Sequence, residues 1–284
     1  VDPIVAGTAE GEKIKAACKV GAIDLDEAES SFEIEVGAIV WATGWRPYPA
    51  DRLTAYRWAE MPDVITNVEM ERLASVDGPT KGRIVRPSDG AEPKRVALIQ
   101  CAGSRDRSLG VPYCSRVCCM YAIKQAMLLS GSLPIADITI YYMDIRAFGK
   151  GYEQFYQNAR AMGIEFVKAK VARITEDENH NPILRIERQD EGTGPEEVQH
   201  DLVVLSLGMQ PAWRPSAGGM INVEADTDGF IRTPRSRLSP TLTTLPGVFA
   251  AGAATGPKDI VDSIAEAGAA AMDAANYLAS VEGC

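Results

Sequence analysis

The stretch RVALIQCAGSRDRSLGVPYCSRVCCM, residues 95–120, decides the fold of this chain. Its first part, RVALIQ (95–100), is typical of a buried strand of a parallel sheet. In a nucleotide-binding domain such a strand is normally followed by a glycine-rich loop. Here four cysteines follow instead, in the spacing C-x12-C-x3-C-C: Cys101, Cys114, Cys118 and Cys119. The sequence therefore places sulfur chemistry where a dinucleotide would otherwise bind.

The number and spacing of these cysteines favour an iron–sulfur cluster. On a helix, Cys114 and Cys118 share one face, and Cys119 is rotated by about 100° from its neighbour. Iron–sulfur clusters take four thiolates, whereas zinc normally uses paired C-x2-4-C spacings, of which only half is present. A zinc ion, a vicinal disulfide at Cys118–Cys119 and buried free thiols remain as alternatives. A helix N-terminus and three arginines would offset the charge of an anionic cluster: Arg105, Arg107 and Arg116.

Strands and helices alternate after the cysteine loop. A helix is predicted over 117–130, a strand over 136–145 and a second helix over 151–163, which ends at Gly163. Three further segments have strand patterns: 164–177, 182–189 and 197–208. This order predicts an α/β protein with a Rossmann-like unit and an added antiparallel meander.

The first third of the chain has weaker patterns. We expect a short strand or hairpin over 13–25, a strand over 33–43 and a helix over 64–76 with Asn67 as its N-cap. Residues 78–94 are rich in Gly, Pro and charge and predict a linker at a domain boundary.

Composition excludes some functions. The 284 residues carry a net charge of −10 and no basic run, so nucleic acid is not an expected partner. No apolar stretch is long enough to cross a bilayer, and no signal peptide is recognised. Six cysteines, four of them clustered, fit a reducing interior and a cytoplasmic location. Because Val1 is not an initiator Met, we expect a fragment or a processed chain.

Two strand ends have the pattern of flavin contacts. The turn Ala42-Thr43-Gly44 ends the first buried strand, and LPGVFAAGA (245–253) ends another before a helix. Glycine there lets the backbone pass close to a nucleotide, and a helix start can present N–H groups to it. Many flavoproteins have Asp where Ala253 stands, so Lys258 and Asp259 are candidate substitutes. An ordinary strand end, or a helix capped by Asp259 beside a solvated Lys258, would give the same patterns.

Four segments together resemble a known family. GPTKGRIVRPSDGAEPKRVALIQCAGSRD (78–106), PYCSRVCCMYAIKQA (112–126), YMDIRAFGKGYEQFY (142–156) and GPKDIVDSIAEAGAAA (256–271) are similar to the A-type subunits of heterodisulfide reductase. They also resemble the A-type subunits of the quinone-interacting membrane-bound oxidoreductase. The resemblance begins at about residue 35.

The resemblance implies a two-dinucleotide-binding-domain, thioredoxin-reductase-like flavoprotein with FAD. It implies that the four cysteines hold a 4Fe–4S cluster. Because Lys258 stands at a helix start in GPKD (256–259), we expect it to lie near the flavin ring and to stabilise the charge of the reduced flavin. The implied FAD contacts are Ala42, Thr43, Gly44, Gly252, Ala253, Gly256, Pro257, Lys258, Asp259 and Ile260. The implied domains are a partial FAD-type domain and linker (1–93), a Rossmann-like inserted domain with the cysteines (94–210) and a return to the FAD-type domain (211–284).

One departure qualifies this expectation. Members of the family have an N-terminal strand–GxGxxG–helix that holds the FAD pyrophosphate, and this chain has no such motif. FAD binding is therefore expected to be shared with a segment absent from this sequence. Because Cys101 stands where a glycine-rich NAD(P) loop would begin, direct nicotinamide binding is expected to be lost.

The sequence thus predicts an oxidoreductase subunit that passes electrons between FAD and the cluster. The expected partners are other redox subunits of a heterodisulfide-reductase-like or quinone-interacting complex, through which the chain could associate with a membrane; a homodimer is compatible with the prediction. The alternatives are an NAD(P)H-dependent disulfide reductase and a cofactor-free docking fragment.

Overall fold

The computed structural model describes residues 7–189, 192, 194–213 and 223–282, and the chain divides into two compact units, Val1–Gly37 and Ala38–Cys284. In the first unit, helix α1 (Ala9–Ala17) begins after Thr8, whose side chain accepts a hydrogen bond from the backbone N–H of Gly11. The prediction of a strand or hairpin over 13–25 is wrong for the part that lies in α1. The Thr8 cap and two acidic residues in the first turn favour a helix there.

The second unit contains all the strands that the structure describes. In chain order the strands are β1 (Ile39–Trp41), β2 (Trp45–Pro47), β3 (Val64–Thr66), β4 (Arg95–Ala102), β5 (Asp137–Tyr142), β6 (Glu165–Glu176), β7 (Pro182–Arg188), β8 (Pro195–Gln199), β9 (Leu202–Leu207), β10 (Met209–Pro211) and β11 (Val248–Ala250). The further helices are α2 (Asn67–Ala74), α3 (Cys118–Ser132), α4 (Tyr152–Ala161) and α5 (Ile260–Glu282).

Seven strands form one sheet in the order β3-β9-β4-β5-β6-β7-β8. The first five are parallel, and β6, β7 and β8 are antiparallel. This confirms the Rossmann-like unit with an added meander. The strand predicted over 197–208 is two strands, because the chain leaves the sheet edge at His200 and re-enters between β3 and β4.

The segment before the predicted linker also contributes to this sheet. Strand β3 pairs with β9, and α2 follows β3 directly. The N-cap of α2 is Thr66, not Asn67 as predicted, because Thr66 and Glu69 form a reciprocal capping box. The division of the chain at residues 93 and 210 stays a prediction.

Two small strand pairs lie outside the large sheet and position the candidate site. Strand β1 pairs in parallel with β11, and β2 pairs antiparallel with β10. The strand predicted over 33–43 is confined to β1. Because β1 and β11 are parallel neighbours, the turns that follow them lie at the same edge. Among the described residues, no helix is long and apolar enough to cross a membrane.

Candidate functional site

The turns after β1 and β11 are held side by side. The backbone N–H of Ala251 donates a hydrogen bond to the carbonyl of Trp41 over 2.9 Å. Gly44 and Gly252 both have left-handed backbone, with φ of +71° and +67°. Side chains with a Cβ rarely adopt this conformation, so glycine is needed in both turns.

These turns border a cavity of about 860 Å³. Its lining residues are Ala42, Gly44, Trp45, Arg116, Val117, Met120, Tyr121, Phe148, Tyr152, Met209, Ala251, Gly252, Ala253, Lys258, Asp259, Ile260, Val261, Ser263, Ile264 and Ala267. Of the ten residues predicted to contact FAD, seven line this cavity; Thr43, Gly256 and Pro257 do not. Contact between any of them and FAD stays a prediction. The volume lies within the range of small-molecule and cofactor sites.

Lys258 is fixed at the cavity wall. Its Nζ pairs with Glu266 Oε1 at 3.2 Å and donates to the carbonyl of Gly252 at 3.3 Å and to the hydroxyl of Thr255. The other carboxylate oxygen of Glu266 accepts the N–H of Gly252 at 2.9 Å. The Lys258 and Glu266 side chains are only 14% and 15% exposed. Lys258 is therefore not the solvated lysine of the alternative interpretation.

Glu266 was not singled out by the sequence. It stands eight residues beyond Lys258, on α5, in an alanine-rich stretch with no motif. Only the packing of α5 against the turn after β11 brings its carboxylate to Gly252. No signal in the sequence would have found it.

Three of the four clustered cysteines meet. Cys118 and Cys119 begin α3, and side-chain hydrogen bonds join Cys118 to both Cys101 and Cys119. The Sγ of Cys114 instead accepts the backbone N–H of Arg116 at 3.3 Å. All four are free thiols, as is Cys18, while Cys284 lies outside the described residues. Within the described part of the chain, no group of three or more His, Cys, Asp or Glu side chains is arranged to hold a metal ion.

The backbone at the end of β4 is unusual. Cys101 has left-handed backbone with φ of +59°, and the register between β4 and β9 shifts between Ile99 and Ala102. A non-glycine residue in this region is strained, and such strain is concentrated at functional sites. The irregular strand end turns the chain at Cys101 toward the start of α3.

The hydrogen bonds among the thiols separate their acidities. The hydrogen bond from Cys118 lowers the pKa of Cys101, and Arg105 adds to this effect. The hydrogen bond from Cys118 also lowers the pKa of Cys119 to about 7, assisted by the backbone N–H of Arg146. The hydrogen bonds of Cys118 to the other two thiols, together with its burial, raise the pKa of Cys118. The lowered pKa values of Cys101 and Cys119 favour their thiolates, the form that binds metals.

Two of the three arginines of the cysteine loop have defined contacts. Arg105 hydrogen-bonds to Cys101 and forms an ion pair with Asp144. Arg116 forms an ion pair with Asp262 in the first turn of α5, and its guanidinium lies 5.0 Å from the centre of the Phe148 ring. Arg107 is exposed. Arg116 and Val117 directly precede α3 and line the large cavity, so α3 begins at the wall of that cavity.

The comparisons with known proteins agree with the resemblance drawn from the sequence. No family model matches the chain. It is 46% identical over 266 residues to the second A-type iron-sulfur subunit of the CoB–CoM heterodisulfide reductase of Methanopyrus kandleri, a match that covers 92% of the chain and 40% of that protein. It is 41% identical over 267 residues to the A-type subunit of the ferredoxin/F420H2-dependent CoB–CoM heterodisulfide reductase of Methanosarcina acetivorans, covering 94% of the chain and 34% of that protein. The chain thus spans well under half the length of these relatives.

The fold prediction is also confirmed. The thioredoxin reductase of T. acidophilum has a similar structure, with a TM-score of 0.50 and 17% identity over 86% of this chain and 66% of that one. At this level of identity the similarity concerns the fold alone.

Proposed function

Because the chain is homologous to a segment of the A-type subunits of heterodisulfide reductases, we propose that it is the flavin- and cluster-carrying segment of such an oxidoreductase. The observation that carries the proposal is the shared cavity. Both flavin-type turns line it, and so do Arg116 and Val117, which directly precede Cys118 and Cys119. A flavin in this cavity would lie beside the start of the cysteine helix.

The cavity suits FAD in size and in backbone shape. Left-handed Gly44 and Gly252 leave room for close approach of a planar ring. Lys258, held by Glu266, places a positive charge at the wall, where it would favour the negative charge of a reduced flavin. Asp259, which lines the same cavity, is the carboxylate nearest in sequence to take the role of the Asp that Ala253 replaces. The pyrophosphate would be held by a further segment, shared with this site.

The thiols suit a 4Fe–4S cluster in their chemistry. Cys101, Cys118 and Cys119 would supply three thiolates, and Cys114 the fourth once its Sγ leaves the N–H of Arg116. Arg105 would compensate negative charge at Cys101. When bound, FAD supplies two-electron and one-electron chemistry and the cluster supplies one-electron transfer.

An assay of the anaerobically purified chain tests this proposal. About four irons and four sulfides per chain are expected, with the broad visible absorbance of an iron–sulfur cluster. Added FAD should bind more weakly than in a longer protein that includes the pyrophosphate-binding segment. One zinc and no iron would overturn the assignment of the cysteines.

A second candidate is a dithiol–disulfide couple, because Cys101 and Cys118 are hydrogen-bonded to each other. An NAD(P)H-dependent disulfide reductase would use such a pair next to its flavin. It predicts an iron-free chain that loses two titratable thiols on oxidation, and bleaching of bound flavin by NADH. The cluster proposal predicts neither.

The partners belong to the same proposal. The relatives are named as subunits of heterodisulfide reductases, so we propose that redox subunits of a similar complex in the cytoplasm exchange electrons with this chain. A cofactor-free docking role would instead give a colourless chain without iron or flavin.

A further inference from the structure

A buried glutamine beside the cysteines lacks the hydrogen bonds that its position demands. Gln100 is 7% exposed, and neither its Nε2 nor its Oε1 has a hydrogen-bond partner. Burying an amide without partners costs about 1–3 kcal/mol, so buried amides are almost always bonded. A partner of Gln100 is therefore expected in the functional state of the protein.

The position of Gln100 in β4 directs its side chain toward the start of α3. Val96 and Leu98 belong with Ile123 of α3 to one buried cluster. Because side chains alternate along a strand, Gln100 lies on the same face as Val96 and Leu98. On the neighbouring strand β9, Ser206 follows Leu202 and Val204 on the same face and is also buried, so two polar side chains interrupt this hydrophobic layer.

Distances along the two elements place the amide at the level of the cysteines. Strands β4 and β5 are parallel neighbours, so the connecting helix α3 runs back along the sheet. Two residues along β4 advance by about 6.6 Å, and four residues along α3 by about 6 Å. The step from Leu98 to Gln100 therefore corresponds to the step from Ile123 to Cys119.

From this placement, and resting on the function proposed above, we infer that the Gln100 amide donates a hydrogen bond to a sulfur of the cluster held by Cys101, Cys114, Cys118 and Cys119. The Tyr121 hydroxyl, in the first turn of α3, already donates to the carbonyl of Leu207 at 3.0 Å. Negatively charged sulfur at the start of α3 would accept a hydrogen bond from Gln100 Nε2, which has no acceptor in this structure. Hydrogen bonds to sulfur help to set cluster potentials, so Gln100 is a positioning residue that makes the cluster easier to reduce.

The test compares the wild-type chain with Gln100→Leu, both purified anaerobically. Thr139→Val is the matched control, because Thr139 is a buried polar residue of the neighbouring strand whose hydroxyl donates to Glu165. Iron content is measured first, and the cluster potential then by a redox titration monitored by electron paramagnetic resonance. Gln100→Leu should keep its iron and lower the ratio of reduced to oxidised cluster about tenfold at fixed potential, which is about 59 mV for one electron. The control should not change.

The outcomes separate this inference from the proposed function. An iron-free wild-type chain overturns both. A loaded Gln100→Leu chain with an unchanged potential overturns only the role of Gln100. If Gln100→Leu does not fold, wild-type chain labelled with 15N at the glutamine side-chain amides decides: a nitrogen hyperfine coupling of the reduced cluster should change from 14N to 15N, and a spectrum without that change contradicts the hydrogen bond.

Discussion

The turns at the ends of β11 and β4 both use left-handed backbone, but they differ in how their polar groups are paired. Each turns the chain through a left-handed residue, Gly252 after β11 and Cys101 at the end of β4. Around Gly252 the polar groups satisfy one another, because Glu266 binds both the Gly252 N–H and Lys258. Beside Cys101 the Gln100 amide is unpartnered and three thiols share hydrogen bonds. The polar groups of the turn after β11 are paired within the chain, whereas a buried amide beside the turn at β4 is not.

The largest expected effect concerns the turn at β4. Cys118→Ser should reduce bound iron from about four atoms per chain to less than one, because a cluster needs its thiolate ligands. Iron and sulfide assays on anaerobically purified chain measure this. Cys18→Ser, which changes a cysteine of the first unit, is the control and should keep its iron. Equal iron in both variants would show that the thiols after β4 do not hold a cluster.

At the turn after β11 the largest expected effect is on stability. Glu266→Gln should lower the free energy of unfolding by about 3 kcal/mol, because it leaves the buried Lys258 charge without its carboxylate. Urea unfolding of the cofactor-free chain measures it. Glu224→Gln breaks the half-exposed pair with Arg232 and should change stability by less than about 1 kcal/mol. If both variants lost the same free energy of unfolding, the pair of Glu266 with Lys258 would stabilise the chain no more than an exposed pair does.

The charge at the same turn should tune a bound flavin. Lys258→Ala is expected to lower the two-electron potential of the flavin by about 30 mV, the equivalent of 1.4 kcal/mol, because a positive charge that favours the reduced form is lost. The potential is measured with FAD bound to the longer protein that includes the pyrophosphate-binding segment. Lys94→Ala, at the other end of β4, serves as the control. An unchanged flavin potential would show that Lys258 does not act on the flavin.

A substitution in the same turn tests the left-handed backbone itself. Gly252→Ala should destabilise the chain by about 1–2 kcal/mol, since φ is +67° and the added Cβ meets only Ser263 at 3.6 Å. Gly268→Ala, in open space on α5, should instead stabilise by about 1 kcal/mol. Thermal unfolding should show a lower Tm for Gly252→Ala and a higher Tm for Gly268→Ala than for the wild-type chain. A neutral Gly252→Ala would mean that the turn does not require glycine.

Sequence reasoning predicted regular elements better than their contacts. The helix after the cysteines, the parallel strands and the meander followed from periodicity, because these patterns are local. The capping residue of α2 was misassigned by one position, since Thr66 competes with Asn67 for the same role. His200, between β8 and β9, is buried and hydrogen-bonded to Tyr141 at 2.9 Å, and burial lowers its pKa to about 4. A lone histidine between two strands carries no sign of its burial.

The candidate site was predicted in its parts and not in its arrangement. The sequence alone determined that four cysteines follow a buried strand and that two glycine turns end other strands, because spacing and residue type are local properties. Only the tertiary structure decided that three thiols meet while Cys114 turns to Arg116, that Glu266 holds Lys258, and that the Gln100 amide is buried without a partner. These contacts depend on how α3 and α5 pack against strand ends distant in sequence, and no local pattern encodes that packing.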